Sequence, residues 1–260
     1  MTAGVVVHAL EVLRFIRSLT LRQCCNISWT QLKKLDSLQE LRLFDCNIND
    51  EQLADVIDGD KLTSLQIHGC LKLSSKSLEH ISQLKSLNKL DYFRTIGEDA
   101  TSLRHIGNMK NLTHLKIGCD SSDVLVHLCC SLTQLKELTL TKSQVTDTGL
   151  RCISELTALT RLVLHVCPAL TSKCLDSVST LPNLRFFSFD ASLCFRGGDI
   201  DKLSCLNDIL TLKEINVTSK PESLAGILKC LCRGKTWQLR YEPTEVARSH
   251  HVIDHYVLSC

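Results

Sequence analysis

The cysteines and histidines near the C-terminus are the side chains whose types could bind a metal. A single residue separates Cys230 from Cys232, and His250, His251 and His255 follow them. His251 and His255 are four residues apart and could share one face of a helix. Zinc sites usually combine two ligand pairs, each separated by about two to four residues. The matching second pair is missing, and Cys230 and Cys232 end a helix-like apolar run in which cysteine packs as a core residue. We therefore predict no metal site and no cofactor.

Nucleophilic catalysis would need a motif that the sequence does not contain. The patterns G-x-S-x-G, H-E-x-x-H and G-x-G-x-x-G and the P-loop are all absent. The vicinal cysteines Cys24 with Cys25 and Cys129 with Cys130 could be redox-active, although buried thiols are the simpler interpretation. We predict a protein that is not an enzyme, with no catalytic residues and no small-molecule substrate.

Composition separates this chain from several other classes. Its 260 residues carry a net charge of +2 without a block of five like charges or a basic stripe, so neither a disordered tail nor a nucleic-acid binder is predicted. No apolar run reaches about 18 residues, and the N-terminus lacks the basic region of a signal peptide, so we expect neither a membrane span nor secretion.

The cysteine count indicates the compartment. The 15 cysteines are odd in number and spread along the chain, unlike the clustered pairs of a secreted disulfide scaffold. This favours the cytoplasm, with the nucleus as an alternative. Three N-x-S/T sequons, at Asn26, Asn111 and Asn216, point the other way, and we attribute them to chance.

The spacing of the leucines predicts the secondary structure that positions the cysteines and histidines. Leucine supplies 46 of the 260 residues, whereas only 5% are aromatic. The pattern L-x-x-L-x-L-x-x-C, with substitutions, recurs nine times, and its second leucine-type position steps by 22 to 28 residues. The nine segments begin at Ile16, Leu38, Leu62, Leu87, Leu112, Leu135, Leu159, Leu184 and Leu212. A degenerate tenth strand is predicted through Trp237, Leu239 and Tyr241.

Each repeat has the pattern of a strand, a turn and a helix. The x-L-x-L-x core alternates with period two, which predicts a short strand with inward leucines. The ninth position must turn the chain, and we expect its small side chain to be buried there, capping backbone amides. The apolar spacing then becomes helical after polar N-cap candidates such as Asn49 and Asp50. Four repeats have cysteine at the ninth position: Cys24, Cys46, Cys70 and Cys167.

These repeats resemble those of leucine-rich repeat proteins, and more narrowly the cysteine-containing subtype, which reads L-x-x-L-x-L-x-x-C-x-x-[I/L]-T-D-x-G-L. The best local match runs from Leu135 to Leu150 and ends V-T-D-T-G-L. The subtype is similar to the substrate-binding arrays of F-box ubiquitin-ligase adaptors and to protist leucine-rich repeat proteins. The resemblance implies an α/β solenoid, a curved horseshoe of about nine to ten repeats of roughly 24 residues. Its parallel sheet would line the concave face, and its helices the convex face.

Three regions follow from this resemblance. Residues 1–15 are predicted to form an N-terminal capping helix, residues 16–242 the leucine-rich repeat array, and residues 243–260 a C-terminal capping segment with a closing helix. Caps are expected because an end repeat otherwise exposes its core to water. Lys220 fits the ninth position poorly, so the last full repeat is predicted to be distorted.

The concave face is the expected binding surface. Phe44 and Phe93 alternate with inward leucines, so the pattern predicts that they are exposed on that face. Aromatic and arginine anchors often contribute about 2 kcal/mol or more each to an interface. The alternative is that these side chains pack against one another or against a flanking loop. The predicted partner-binding residues are Arg42, Phe44, Gln66, His68, Asp91, Phe93, Arg94 and Lys116.

These observations predict a monomeric, non-enzymatic scaffold that binds a protein partner on its concave face. One alternative is a substrate-recognition subunit of an SCF-type ubiquitin ligase, although no F-box is recognisable before residue 16. Another is a protein inhibitor of an enzyme, as the cysteine-rich leucine-rich inhibitors of ribonucleases are. Those inhibitors have longer, alternating repeats than the ones found in this chain.

Overall fold

A computed structural model describes residues 15–25, 27–57, 61–93, 100–191, 199–219, 224–231, 238–243 and 256–259. The chain divides into two compact units, Met1–Gly118 and Cys119–Cys260. The N-terminal capping helix predicted for residues 1–15 falls almost entirely outside the described residues. Within the described ranges, no helix combines the length and the apolar character needed to cross a membrane.

The first unit contains a parallel sheet whose strands coincide with the predicted leucine positions. Neighbouring strands pair so that Leu41 lies beside Leu65 and Leu65 beside Leu90. The second and fourth residues of β2, β3 and β4 are buried, while the first, third and fifth are at least partly exposed, as period-two alternation requires. The strands are β1 (Ser18–Arg22), β2 (Glu40–Phe44), β3 (Ser64–His68), β4 (Lys89–Phe93) and β5 (His114–Ile117).

Helices return the chain from each strand to the next. Asn49 Oδ1 accepts a hydrogen bond from the Gln52 amide at 2.9 Å, and the Asn49 amide donates to Gln52 Oε1 at 3.1 Å. This capping box starts the first α-helix at the N-cap predicted from the sequence. Leu53, Leu78 and Ile81 are fully buried, which closes the core between helices and sheet. The helices of this unit are the 3₁₀ helices Trp29–Lys34 and Ala100–Asn108 and the α-helices Asp50–Ile57 and Ser75–Ile81.

The second unit repeats this arrangement. The parallel strands are β6 (Glu137–Thr141), β7 (Arg161–His165), β8 (Phe186–Asp190), β9 (Glu214–Ser219) and β10 (Gln238–Pro243), with the pairs β6–β7, β7–β8, β8–β9 and β9–β10. The degenerate tenth strand predicted through Leu239 and Tyr241 is thereby confirmed. The α-helices are Ser122–Ser131, Asp147–Leu150, Cys174–Val178 and Leu224–Leu231, and the 3₁₀ helices are Arg151–Glu155 and Ile200–Asp208.

The C-terminal segment differs from the predicted closing helix. Tyr256–Ser259 form β11, which pairs antiparallel with β10, so the helix prediction is wrong for these four residues. A short apolar run cannot be assigned to helix or strand by periodicity alone, and here the open edge of β10 supplies backbone partners that favour a strand. Residues 244–255 and Lys220 lie outside the described residues.

The turn after the strand has the same left-handed backbone in five repeats. The residue just before the ninth position has φ between 51° and 53° in four of them and 67° in the fifth. This region reverses the chain direction within one residue, at a cost of about 1–2 kcal/mol for a residue other than glycine. The five residues are Gln23, Asp45, Gly69, Lys142 and Val166.

The ninth side chains connect successive turns, Cys46 through backbone carbonyls and Ser143 through a backbone amide, the contact predicted for this position. The Cys46 thiol donates to the Phe44 carbonyl at 3.4 Å and to the Leu21 carbonyl of the preceding repeat at 3.5 Å. The cysteine therefore satisfies carbonyls rather than amides. Ser143, which takes the same position in a later repeat, does cap an amide, because its Oγ accepts from the Cys119 N–H at 2.9 Å. Among the described residues, 12 cysteines are thiols outside any disulfide.

We expect brief alkylation of the native protein to label Cys25 and Cys130 and to spare Cys70 and Cys119. The first two thiols are exposed and the last two are buried. A hydrogen bond with Cys46, together with burial, raises the pKa of the Cys70 thiol, and burial raises the pKa of the Cys119 thiol, so little reactive thiolate forms at either. Peptide mass spectrometry with and without urea measures the protection. Native labelling of Cys119 as fast as in urea would contradict its buried position.

Candidate functional site

The sheet of the first unit has one face that the core does not cover. The first, third and fifth side chains of β2, β3 and β4 point to this side, opposite the buried leucines. We call the solvent side of β1–β5 the open face. Every predicted partner-binding residue among the described residues lies on it, and Arg94 falls outside those residues.

Three rings form a continuous row across the ends of β2, β3 and β4. The register places Phe44 beside His68 and His68 beside Phe93. The Phe44 and His68 ring centroids are 5.2 Å apart with an interplanar angle of 76°, an edge-to-face contact. The His68 and Phe93 centroids are 6.2 Å apart at 60°. Phe44 and Phe93 are therefore partly rather than fully exposed, because the imidazole fills the space between them.

Asp91 lies next to this row and brings together three other predicted residues. Its Oδ2 accepts from Gln66 Nε2 at 3.2 Å and from Lys116 Nζ at 3.4 Å. Its Oδ1 is 2.7 Å from His68 Nε2, a close polar contact whose angle falls outside hydrogen-bond geometry. Only 13% of the Asp91 side chain is exposed. Side chains from the two neighbouring strands, β3 and β5, thus converge on one carboxylate of β4, which restricts the imidazole to its place in the row.

Arg22 and Arg42 also lie on the open face, and Arg22 is absent from the predicted set. The Arg22 guanidinium carbon lies 4.2 Å from the centre of the Phe44 ring, a cation–π contact. Arg22 occupies the same strand position as Phe44, His68 and Phe93, so the repeat alignment contains the information needed to identify it. Arg42 is not part of the Asp91 cluster, because its Nη2 contacts Glu40 Oε2 at 3.4 Å instead.

The sheet of the second unit carries a separate cation–π contact that was not predicted from the sequence. The Arg161 guanidinium carbon is 3.5 Å from the centre of the Phe186 ring. Both residues are the first of their strands and precede the first inward position, whereas the predicted partner-binding residues all follow that position. Extending the alignment by one position toward the N-terminus of each strand identifies both.

The described residues do not form a cluster of metal ligands. Across the described ranges, no three His, Cys, Asp or Glu side chains gather closely enough to bind one. Cys230 is buried in the helix Leu224–Leu231, and its thiol is 3.7 Å from Asp201 Oδ1. The other residues of the candidate metal set, Cys232, His250, His251 and His255, lie outside the described residues.

Each repeat has a strand, a left-handed turn and a helix, with leucine at alternate strand positions, so this chain has the leucine-rich repeat fold. Its structure is similar to a chain in the crystal structure of the yeast Rad7 and Elc1 complex, with 15% identity and a TM-score of 0.65 over 90% of this chain and 70% of that chain. It is also similar to internalin C2 from Listeria monocytogenes, with 19% identity and a TM-score of 0.51 over 81% and 83% of the two chains. No family model matches the sequence.

Proposed function

We propose that this protein is a non-enzymatic interaction scaffold that binds a protein partner on the open face of its first unit. The observation that carries the proposal is the ring row Phe44, His68 and Phe93, which is partly exposed on a face that no described element covers. Partly exposed aromatic side chains that are already held in place lose little conformational freedom on binding. Such anchors supply most of the energy of protein interfaces.

The chemistry of the open face supports binding rather than catalysis. His68 and Asp91 resemble two members of a catalytic triad. The rings that flank His68 belong to Phe44 and Phe93, where a triad would place a serine hydroxyl or a cysteine thiol. The histidine in this proposal is a packing and polar contact group. The 15 cysteines, odd in number and spread along the chain, support a reducing compartment, the cytoplasm or the nucleus, as the place of action.

Two narrower functions differ in the partner they require. A substrate-recognition subunit of an SCF-type ubiquitin ligase would be recovered with ligase components, whereas an inhibitor would be recovered with an inactive enzyme in equal amount. The fold that this chain shares with a chain of the Rad7 and Elc1 complex supports testing the first. Affinity purification under reducing conditions, followed by mass spectrometry and an activity assay of the recovered proteins, distinguishes these two functions.

Lysine footprinting of the recovered complex tests the proposed face. We expect acetylation of Lys89 and Lys116 to decrease several-fold when the partner is bound, because both lie on the open face and are accessible in the free chain. Lys76 is the control, since it is exposed on the helix Ser75–Ile81 of the same unit. Its acetylation should not change.

The opposite pattern would overturn the proposal. Protection of Lys76 with continued acetylation of Lys89 and Lys116 would place the partner on the helices. Failure to recover any protein reproducibly with the intact chain would contradict the scaffold function itself.

A further inference from the structure

We propose that the partner segment bound by the open face presents a carboxylate beside an apolar side chain. This inference rests on the proposed function and adds the chemistry of the partner. The open face of the first unit carries more cations than anions. The cations are Arg22, Arg42, Lys89 and Lys116, and the anions are Glu40 and Asp91.

Both anions of the open face already have partners within the chain. Glu40 Oε2 accepts from Ser18 Oγ at 3.2 Å and from Arg42 Nη2 at 3.4 Å. Asp91 is enclosed by Gln66, Lys116 and His68, with 13% of its side chain exposed. An incoming cation would have to compete with these contacts. An incoming carboxylate would find exposed cations instead, so charge complementarity favours an acidic partner.

Arg42 is the cation best placed to receive that carboxylate. Its side chain is 44% exposed, and Glu40 contacts it through Nη2 alone at 3.4 Å, a long contact for a charged pair. Its Nε is buried and has no hydrogen-bond partner among the described residues. The guanidinium therefore holds donor capacity that the chain itself does not use. A partner carboxylate at the exposed Nη atoms would add the charge-assisted bonds that Glu40 does not supply.

The position of Arg42 on its strand also predicts the spacing of the partner's groups. Arg42 and Phe44 are alternate residues of β2, so their side chains emerge on the same face about 7 Å apart. An extended partner segment matches that distance when its acidic and apolar residues are two positions apart. The partner segment is therefore expected to carry a negative charge two residues from an apolar side chain.

Selection of short random peptides on the immobilised full-length protein tests this inference. We expect the enriched peptides to place Asp or Glu two residues from a large apolar residue. In a fluorescence anisotropy assay, replacing that acid with its amide should weaken binding about tenfold. Arg42→Glu should weaken binding of the acidic peptide by a similar factor. The same variant should restore binding of a peptide whose acidic residue is changed to lysine. The control variant Arg185→Glu changes an exposed cation in the second unit and should leave the affinity unchanged.

The other outcomes separate this inference from the proposed function. Enriched peptides that lack acids but lose binding to the Phe44→Ala, Phe93→Ala double variant would overturn the inference and leave the scaffold proposal intact. Peptides that bind the double variant undiminished would contradict the proposed face as well. If no peptide is enriched, or if a random single-stranded oligonucleotide binds more tightly and depends on Arg42, the acidic protein segment is the wrong ligand.

Discussion

Replacing Phe187 with alanine should lower the free energy of unfolding by about 3–5 kcal/mol. Phe187 takes the inward position of β8 that leucine takes in most repeats, and none of its surface is exposed. Its ring stacks on Phe189, with centroids 4.9 Å apart and an interplanar angle of 15°. Register places it between Leu162 and Ile215 of the neighbouring strands. Truncation would leave a ring-sized cavity in a layer whose walls are held by two strands, so the site cannot collapse to fill it.

Two companion variants show whether the cavity causes the loss. Phe187→Leu restores the residue type of the other repeats and should cost less than about 1.5 kcal/mol. Phe186→Ala alters the adjacent ring, which is partly exposed on the other side of the sheet, and should cost about 1 kcal/mol. Urea denaturation followed by circular dichroism gives the midpoints. Equal losses from Phe186→Ala and Phe187→Ala would mean that the strand is shifted by one residue from the register described above.

The strands could be predicted from the sequence because the same physical constraint recurs in every repeat. Leu65 and Ile67 of β3 alternate with side chains that face solvent, and the pattern returns about 24 residues later with the same spacing. A single short apolar run such as Tyr256–Ser259 does not recur along the chain, so no repeat confirms its assignment. Its structure depends on the free edge of β10, which becomes evident only once the sheet exists.

The candidate site could be predicted only in part, for a related reason. The alternation assigns Phe44, His68 and Phe93 to one face, but it does not give the distances between side chains on different strands. The role of Asp91 as the carboxylate shared by Gln66, His68 and Lys116 depends on rotamers and on register. Arg42 illustrates the same limit, because its guanidinium pairs with Glu40 on its own strand.

The Phe44→Ala, Phe93→Ala double variant should weaken partner binding by roughly a thousandfold, about 4 kcal/mol, if each ring acts as an anchor of about 2 kcal/mol. The two rings flank His68, so removing both also releases the imidazole from its position in the row. Isothermal titration with the partner recovered by affinity purification measures the change. Because neither ring is part of the buried core, the unfolding midpoint should fall only slightly.

Phe186→Ala is the control that shows whether the effect of the double variant is specific to Phe44 and Phe93. Phe186 is also a partly exposed ring on a sheet, and it carries an arginine over its face just as Phe44 does. If any exposed aromatic side chain sufficed for binding, Phe186→Ala would weaken the complex to a similar degree. If the ring row of the first unit is the anchor, Phe186→Ala leaves the affinity for the partner unchanged while the double variant weakens it by roughly a thousandfold. An unchanged affinity in a folded double variant would place the partner elsewhere, since no loss of structure could then account for the result.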